Sequence, residues 1–128
     1  MENRRIEYPI IFFIGAALYC AIEILWRGRT HWTMGLAGGG CFSMLYALEK
    51  HTRWPLFGKC AYGAAFITGV EFQIGCVVNR LLGWNVWDYS AIAGNWMGQI
   101  CPSFTGLWFL LCIPGFALAE GLRRIIAP

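Results

Sequence analysis

Apolar residues gather in four runs, 8–26, 33–48, 57–78 and 104–122, separated by short polar intervals. A hydrocarbon core of about 30 Å takes roughly 17–25 residues of helix to cross, so the pattern predicts four transmembrane helices. Run 8–26 is broken only by Glu23. Run 57–78 carries Lys59 near one end, where its amine can snorkel to the interface, and Glu71 well inside. Run 33–48 is short and contains "GLAGGG", so it spans only if thinly covered or packed against its neighbours. In run 104–122, Pro114 predicts a kink. The expected fold is all-α: a polytopic membrane protein with one domain over residues 1–128, built as a four-helix transmembrane bundle.

Residues 85–101, "NVWDYSAIAGNWMGQIC", break this pattern before the last run. They are too polar to span and too aromatic for a loose loop. Trp84 just before them, with Trp87, Tyr89 and Trp96, suits the headgroup zone, where one edge of a ring is apolar and the other wet. The segment is expected to lie at the outer interface or to dip inward as a re-entrant turn. Irregular backbone at depth is tolerated only where it is buried in protein or faces a cavity, so a dip implies a cavity.

Composition changes the solvent assumed. The chain is 58% hydrophobic and 13% charged, against about 25% charged in soluble domains, so its solvent is lipid. Its 16 glycines then read as surfaces for close helix approach. "GLAGGG" lacks the Lys-Ser/Thr that completes a phosphate loop, and packing through Gly35 and Gly39 is its expected role. None of the 6 cysteines forms Cys-x-x-Cys, which favours buried, inert thiols. The first run ends in Glu23, Leu25, Trp26 and Arg27 and not in a small-residue cleavage site, so it is expected to stay in the membrane.

The net charge of +3 matters mainly through its placement. Arg4, Arg5, Arg123 and Arg124 flank spans as interfacial anchors, an arrangement unlike a nucleic-acid surface. With both termini cytoplasmic, that side collects these four with Lys50, Arg53 and Lys59, against Arg27, Arg29 and Arg80 opposite. The bias predicts a multi-pass protein of the cell membrane with cytoplasmic termini.

Candidate chemistry rests on few residues. Glu23 and Arg27, four apart, share a helix face and read either as an interfacial ion pair or as part of a site. An intramembrane carboxylate such as Glu71 costs several kcal/mol unless paired or wetted. Thr68, Gly75 and Asn79 extend a polar stripe from it, which equally suits interhelical hydrogen bonding. Asp88 can cap its own turn or face a cavity, and Asn95 and Gln99, four apart, are expected to share a helix face and to bind either backbone or solute. His31 and His51 fall in opposite loops, so a bis-histidine metal or haem site is not expected. No metal and no cofactor is expected.

The blocks "EFQIGCVVN", "WDYS" and "GNWMGQIC" resemble the small bacterial membrane proteins labelled ABC-transporter type IV permeases, and a vertebrate multispanning family is similar in the same blocks. The resemblance covers mainly residues 71–101, with "YCAIEILWRG" a weaker counterpart of the family's first-helix glutamate and basic loop. It singles out Glu23, Glu71, Asn79, Trp87, Asp88, Tyr89, Ser90, Asn95, Gly98 and Gln99. This chain departs from it at "RGRTHWTMGLAGGGCF", where the family has Gly-Pro and Pro-Ile-Tyr-Gly stretches.

The expected site is a polar pocket in the outer halves of the first and third helices. Glu23, Arg27, Glu71, Asn79, Asp88, Asn95 and Gln99 would bind the solute or ion, beneath a lid or interface of Trp87, Tyr89, Ser90 and Trp96. The expected function is permease-like: binding of a small polar solute, a cation or a proton by a homo-oligomer or with a partner membrane subunit in the lipid bilayer, without nucleic acid. A non-enzymatic role is favoured. The alternatives are an intramembrane enzyme acting on a lipid headgroup, with Glu71 or Asp88 as base and Arg27 or His31 binding phosphate, or a non-catalytic assembly subunit.

Overall fold

The computed structural model describes residues 4–127, and in it each apolar run is helical. The helices are α1, Arg4–Arg27; α2, Trp32–His51; α3, Leu56–Gly75, continued by a π-helical turn at Cys76–Leu81; and α4, Pro102–Ile126. The side chains of Arg4 and Arg5, read above as anchors, lie outside the described residues. Three helical stretches are long and apolar enough to cross a membrane: Ile6–Arg27, Leu56–Leu81 and Pro102–Ile126.

Local chemistry sets the helix ends. Gly28, at φ +77°, follows α1 in the left-handed conformation that stops a helix, and its N–H returns to the Ile24 carbonyl at 2.8 Å. The His31 ring caps α2 by accepting from the Thr33 N–H at 3.3 Å. Extended backbone at Thr52 and Pro55 separates α2 from α3. Pro102 opens α4, where its missing N–H removes no helical bond. Pro114 sits inside α4, which is helical on both sides of it.

The helices form an up-and-down bundle in which α2 touches all three others, whereas the helix packing of α1 is with α2. The α1–α2 seam is made of glycine. A Cβ on Gly15 would lie 2.5 Å from Cβ of Phe42, one on Gly38 2.4 Å from Cβ of Tyr19, and one on Gly39 2.8 Å from the Phe12 carbonyl oxygen. Such closeness is how helices gain dispersion energy when lipid is as apolar as the core. Gly35 also faces α1, near Cys20, while Gly40 faces open space.

Two apolar clusters fill the bundle. One joins Ile11, Phe42, Leu45, Tyr46, Cys60, Cys112, Phe116 and Ala119; the other joins Met34 and Val78 to Val86 and Trp87 of the segment before α4. Near the first cluster, buried Glu7 accepts from the Tyr46 hydroxyl and from Lys50 Nζ at 2.7 Å, tying the start of α1 to the end of α2. Lys59 pairs with Glu49 and sits over the Phe116 ring. Its amine is therefore held inside the bundle's own charge network. Large apolar side chains such as Phe13, Leu25, Phe57 and Ile125 project outward, an inversion that suits a lipid solvent.

Candidate functional site

Glu71 lies at the centre. It is 6% exposed, accepts a 2.7 Å hydrogen bond from the Tyr89 hydroxyl and a longer 3.4 Å one from the Trp108 indole, and borders a cavity of about 250 Å³ between the four helices. Tyr19 and Leu18 of α1, Met34 and Cys41 of α2, Ile74 of α3, Leu111 of α4 and Trp87 from the overlying segment form much of the rest of its wall. The wall is overwhelmingly hydrocarbon. The Tyr19 ring tilts against Trp108 at 5.9 Å, linking α1 to α4 across it.

Charge bookkeeping sets Glu71 apart from the other acids. Glu7 pairs with Lys50, Glu23 with Arg27, Glu49 with Lys59, and Glu120 with Arg123 and Arg124. Asp88 is exposed. Among the described acids, Glu71 is the buried one with no cation against it; its partners are neutral donors.

Glu23 is buried on α1, with one oxygen 3.2 Å from Arg27 Nε and the other, Oε1, without a hydrogen-bond partner among the described residues. It is within electrostatic reach of Glu71, and Tyr19 is within reach of both. Arg27 also donates to the Val86 carbonyl at 2.9 Å, fastening the overlying segment to α1.

Asn79 and Gln99 hold that segment down. The π turn sets Asn79 so that Oδ1 accepts from the Val86 N–H at 2.6 Å and, more loosely, the Trp87 N–H, while Nδ2 donates to Gln99 Oε1 at 2.8 Å. Gln99 is buried, and its backbone carbonyl accepts from the Trp87 indole at 3.0 Å. Gly75 makes this close fit possible, because a Cβ there would lie 2.5 Å from Gln99 Oε1 and 2.9 Å from the Trp87 ring. The two amides therefore act on protein, and neither belongs to the cavity wall.

Two expectations are corrected. Asp88 does not join the carboxylates: its Oδ1 accepts from the Ser90 N–H at 2.9 Å and from the Ser90 hydroxyl, in solvent. Those bonds hold its carboxyl below the ordinary value. The residue from "WDYS" that reaches Glu71 is Tyr89, whose phenol is pushed well up, first by burial and then by that carboxylate, so that it remains a donor. Asn95 and Gln99 share no helix face, because positive φ at Gly94, Met97 and Gly98 breaks the chain into turns. Asn95 instead braces those turns, donating to the Ser90 and Ile92 carbonyls and accepting from the Gly98 N–H.

Trp96 is exposed and pairs its backbone with Ile100, whereas Trp87 is buried. Thr68 bonds Thr105 of α4 at 2.9 Å, a link between helices. Two wall residues had not been singled out. Tyr19 lies one helical turn before Glu23, a spacing that could have revealed it. Trp108 is an indole in an apolar run, with nothing local to mark it. Among the described residues, no group of three or more His, Cys, Asp or Glu is placed to hold a metal ion.

Neither a curated protein nor a solved structure matches the chain. A family model does, over residues 10–122, which takes in all four helices and the segment above the cavity. The chain is a membrane protein of transport-related type and belongs to the family described as "Putative ABC-transporter type IV".

Proposed function

We propose that the protein binds a cation or a proton at Glu71 as part of a transport step across the cell membrane, with its termini in the cytoplasm. The observation that carries this reading is the buried carboxylate on a cavity with no protein cation against it. An ionised group there needs a counter-charge from outside the chain, and a neutral one needs a proton. Either way Glu71 is an exchange point. Glu23 and Arg27 supply a second, internally compensated charge nearby. Asn79, Gln99 and Asn95 shape the segment that closes the outer end, and Trp87, Tyr89, Ser90 and Trp96 belong to that lid. Asp88 serves the lid's own turn.

A strongly hydrated polar solute fits the cavity poorly, since its wall offers few polar groups. The lipid-headgroup enzyme is also disfavoured, because Arg27 and His31 lie outside the wall and the His31 ring packs at a tilt against Trp32 and Trp84. A path across the membrane through a single cleft of this size needs further helices, which a second copy or a partner subunit would provide.

Purified protein in proteoliposomes tests the reading through proton or monovalent-cation uptake. Glu71→Gln keeps the shape and one accepting oxygen, which can face the Trp108 indole, while its NH2 can donate to the Tyr89 oxygen and the charge is removed. It is expected to lower uptake at least tenfold with folding intact by circular dichroism. Uptake equal to wild type would refute the assignment.

A further inference from the structure

The cavity carries a more specific chemistry than a bare carboxylate. Tyr19, Phe42, Trp87 and Trp108 line it together with Glu71, so four aromatic side chains share the wall with one acid. Aromatic faces attract alkylammonium ions, and a carboxylate completes the charge match. Hard metal cations take six or more oxygen ligands, and among the lining residues only Glu71 brings a carboxylate and Tyr19 a phenol, the rest being aliphatic, aromatic or sulfur-bearing.

The cleft is also open on one side. Leu18 and Ile22 of α1 and Pro114 and Leu118 of α4 border it and are exposed at the bundle surface, where the solvent is acyl chain. Among the described residues α1 packs chiefly on α2, and its meeting with α4 is the Tyr19–Trp108 ring contact, so no extended helix seam closes this rim. At about 250 Å³ the cleft falls below the roughly 300–1,000 Å³ of pockets that enclose a whole drug-sized ligand. It suits a charged head and the first few carbons of a longer molecule.

We infer that the ligand is a lipophilic alkylammonium ion that arrives from within the bilayer, its head on Glu71 among Tyr19, Trp87 and Trp108 and its tail leaving between α1 and α4. This rests on Glu71 being the binding carboxylate and adds the class of cation and its route.

Binding of radiolabelled octylammonium to the purified full chain in nonionic micelles tests the inference, with competitors of separate chemistry. Saturable binding is expected that unlabelled octylammonium displaces, that octanol and tetramethylammonium do not displace at 100-fold excess, and that Glu71→Gln weakens at least tenfold. Displacement by octanol as effective as by octylammonium would overturn the inference without any variant, since the cleft would then read only the tail. Tetramethylammonium competing as well as octylammonium would overturn the lipophilic class while leaving Glu71 as a cation site. Octylammonium binding that is unchanged by Glu71→Gln, together with unchanged ion uptake, would remove both this inference and the function beneath it.

Discussion

Gly39→Ala offers a direct measure of how much the bundle depends on the α1–α2 seam, because an adjacent glycine provides its control. An ideal Cβ at Gly39 lies 2.8 Å from the Phe12 carbonyl oxygen, whereas ordinary contact begins at 3.4 Å. A ring could turn aside, but that oxygen belongs to the α1 backbone, so α1 must withdraw by about 0.6 Å (3.4 − 2.8). A gap of that size forfeits about a quarter to a half of the dispersion well for each atom pair it separates. Lipid offers no apolar driving force to compensate, and overpacking of this kind costs about 1–3 kcal/mol. At Gly40 a Cβ meets nothing within 4 Å, so Gly40→Ala gains up to about 1 kcal/mol of helix propensity. Unfolding in mixed micelles of rising SDS fraction, followed by circular dichroism, should therefore place Gly39→Ala below wild type and Gly40→Ala at or above it. Equal midpoints for the two variants would refute the claim that the seam is backbone-limited.

Lys50→Met strands Glu7 in the bundle and should destabilise it by about 3 kcal/mol, the low end for one partner of a buried pair, since Lys50 keeps a quarter of its side chain exposed. Adding Glu7→Gln should restore most of that loss in the same assay, and a double variant no better than the single would contradict the pairing. Asn79→Ala leaves the Val86 N–H and the Gln99 amide without their partner, at about 1–3 kcal/mol for each group left unsatisfied. Residues 82–101 should then become protease-sensitive while the helices survive, and an unchanged digestion pattern would count against Asn79 as the anchor. Asp88 should titrate below its ordinary 3.8 because the Ser90 hydroxyl and then the Ser90 N–H stabilise the carboxylate. A depressed folded value means that this stabilisation is complete above the unfolded pKa and fades as pH falls through the folded one. Carboxyl NMR on Ser90→Ala should show the value rising, and no rise would remove the turn as its cause.

The sequence made the bundle legible because its decisive signals are local. Run length and composition mark each helix, Gly28 and Pro102 punctuate two ends, and a lone glutamate in an apolar run has to face protein. The site was legible only in part. That Glu71 and Glu23 are turned into protein follows from the cost of polarity in lipid. That Tyr89 and not its neighbour Asp88 reaches Glu71 depends on the direction in which a turn leaves each side chain. Asn95 and Gln99 looked helical by spacing, but left-handed backbone at Gly94, Met97 and Gly98 decides otherwise, and a methionine in that conformation gives no warning. The Glu7–Lys50 and Glu49–Lys59 pairs are hidden for a related reason: each forms between helices, across a distance that no spacing rule reports.

The π-helical turn at Cys76–Leu81 makes the joint between the bundle and its cover sensitive to chain length. The Leu82 N–H bonds to Val77 and the Trp84 N–H to Val78, five and six residues back, where an α-helix would reach four. One surplus residue leaves a helix axis in place but shifts the phase of all that follows by about 100°. Lipid-facing side chains can drift among apolar types at little cost. Loss of a single codon from the part of this turn before Asn79 would instead rotate Asn79 away from Val86 and Gln99 while every side chain it needs was still present. The count of residues between Glu71 and Asn79 is thus inherited information in its own right, separate from their identities.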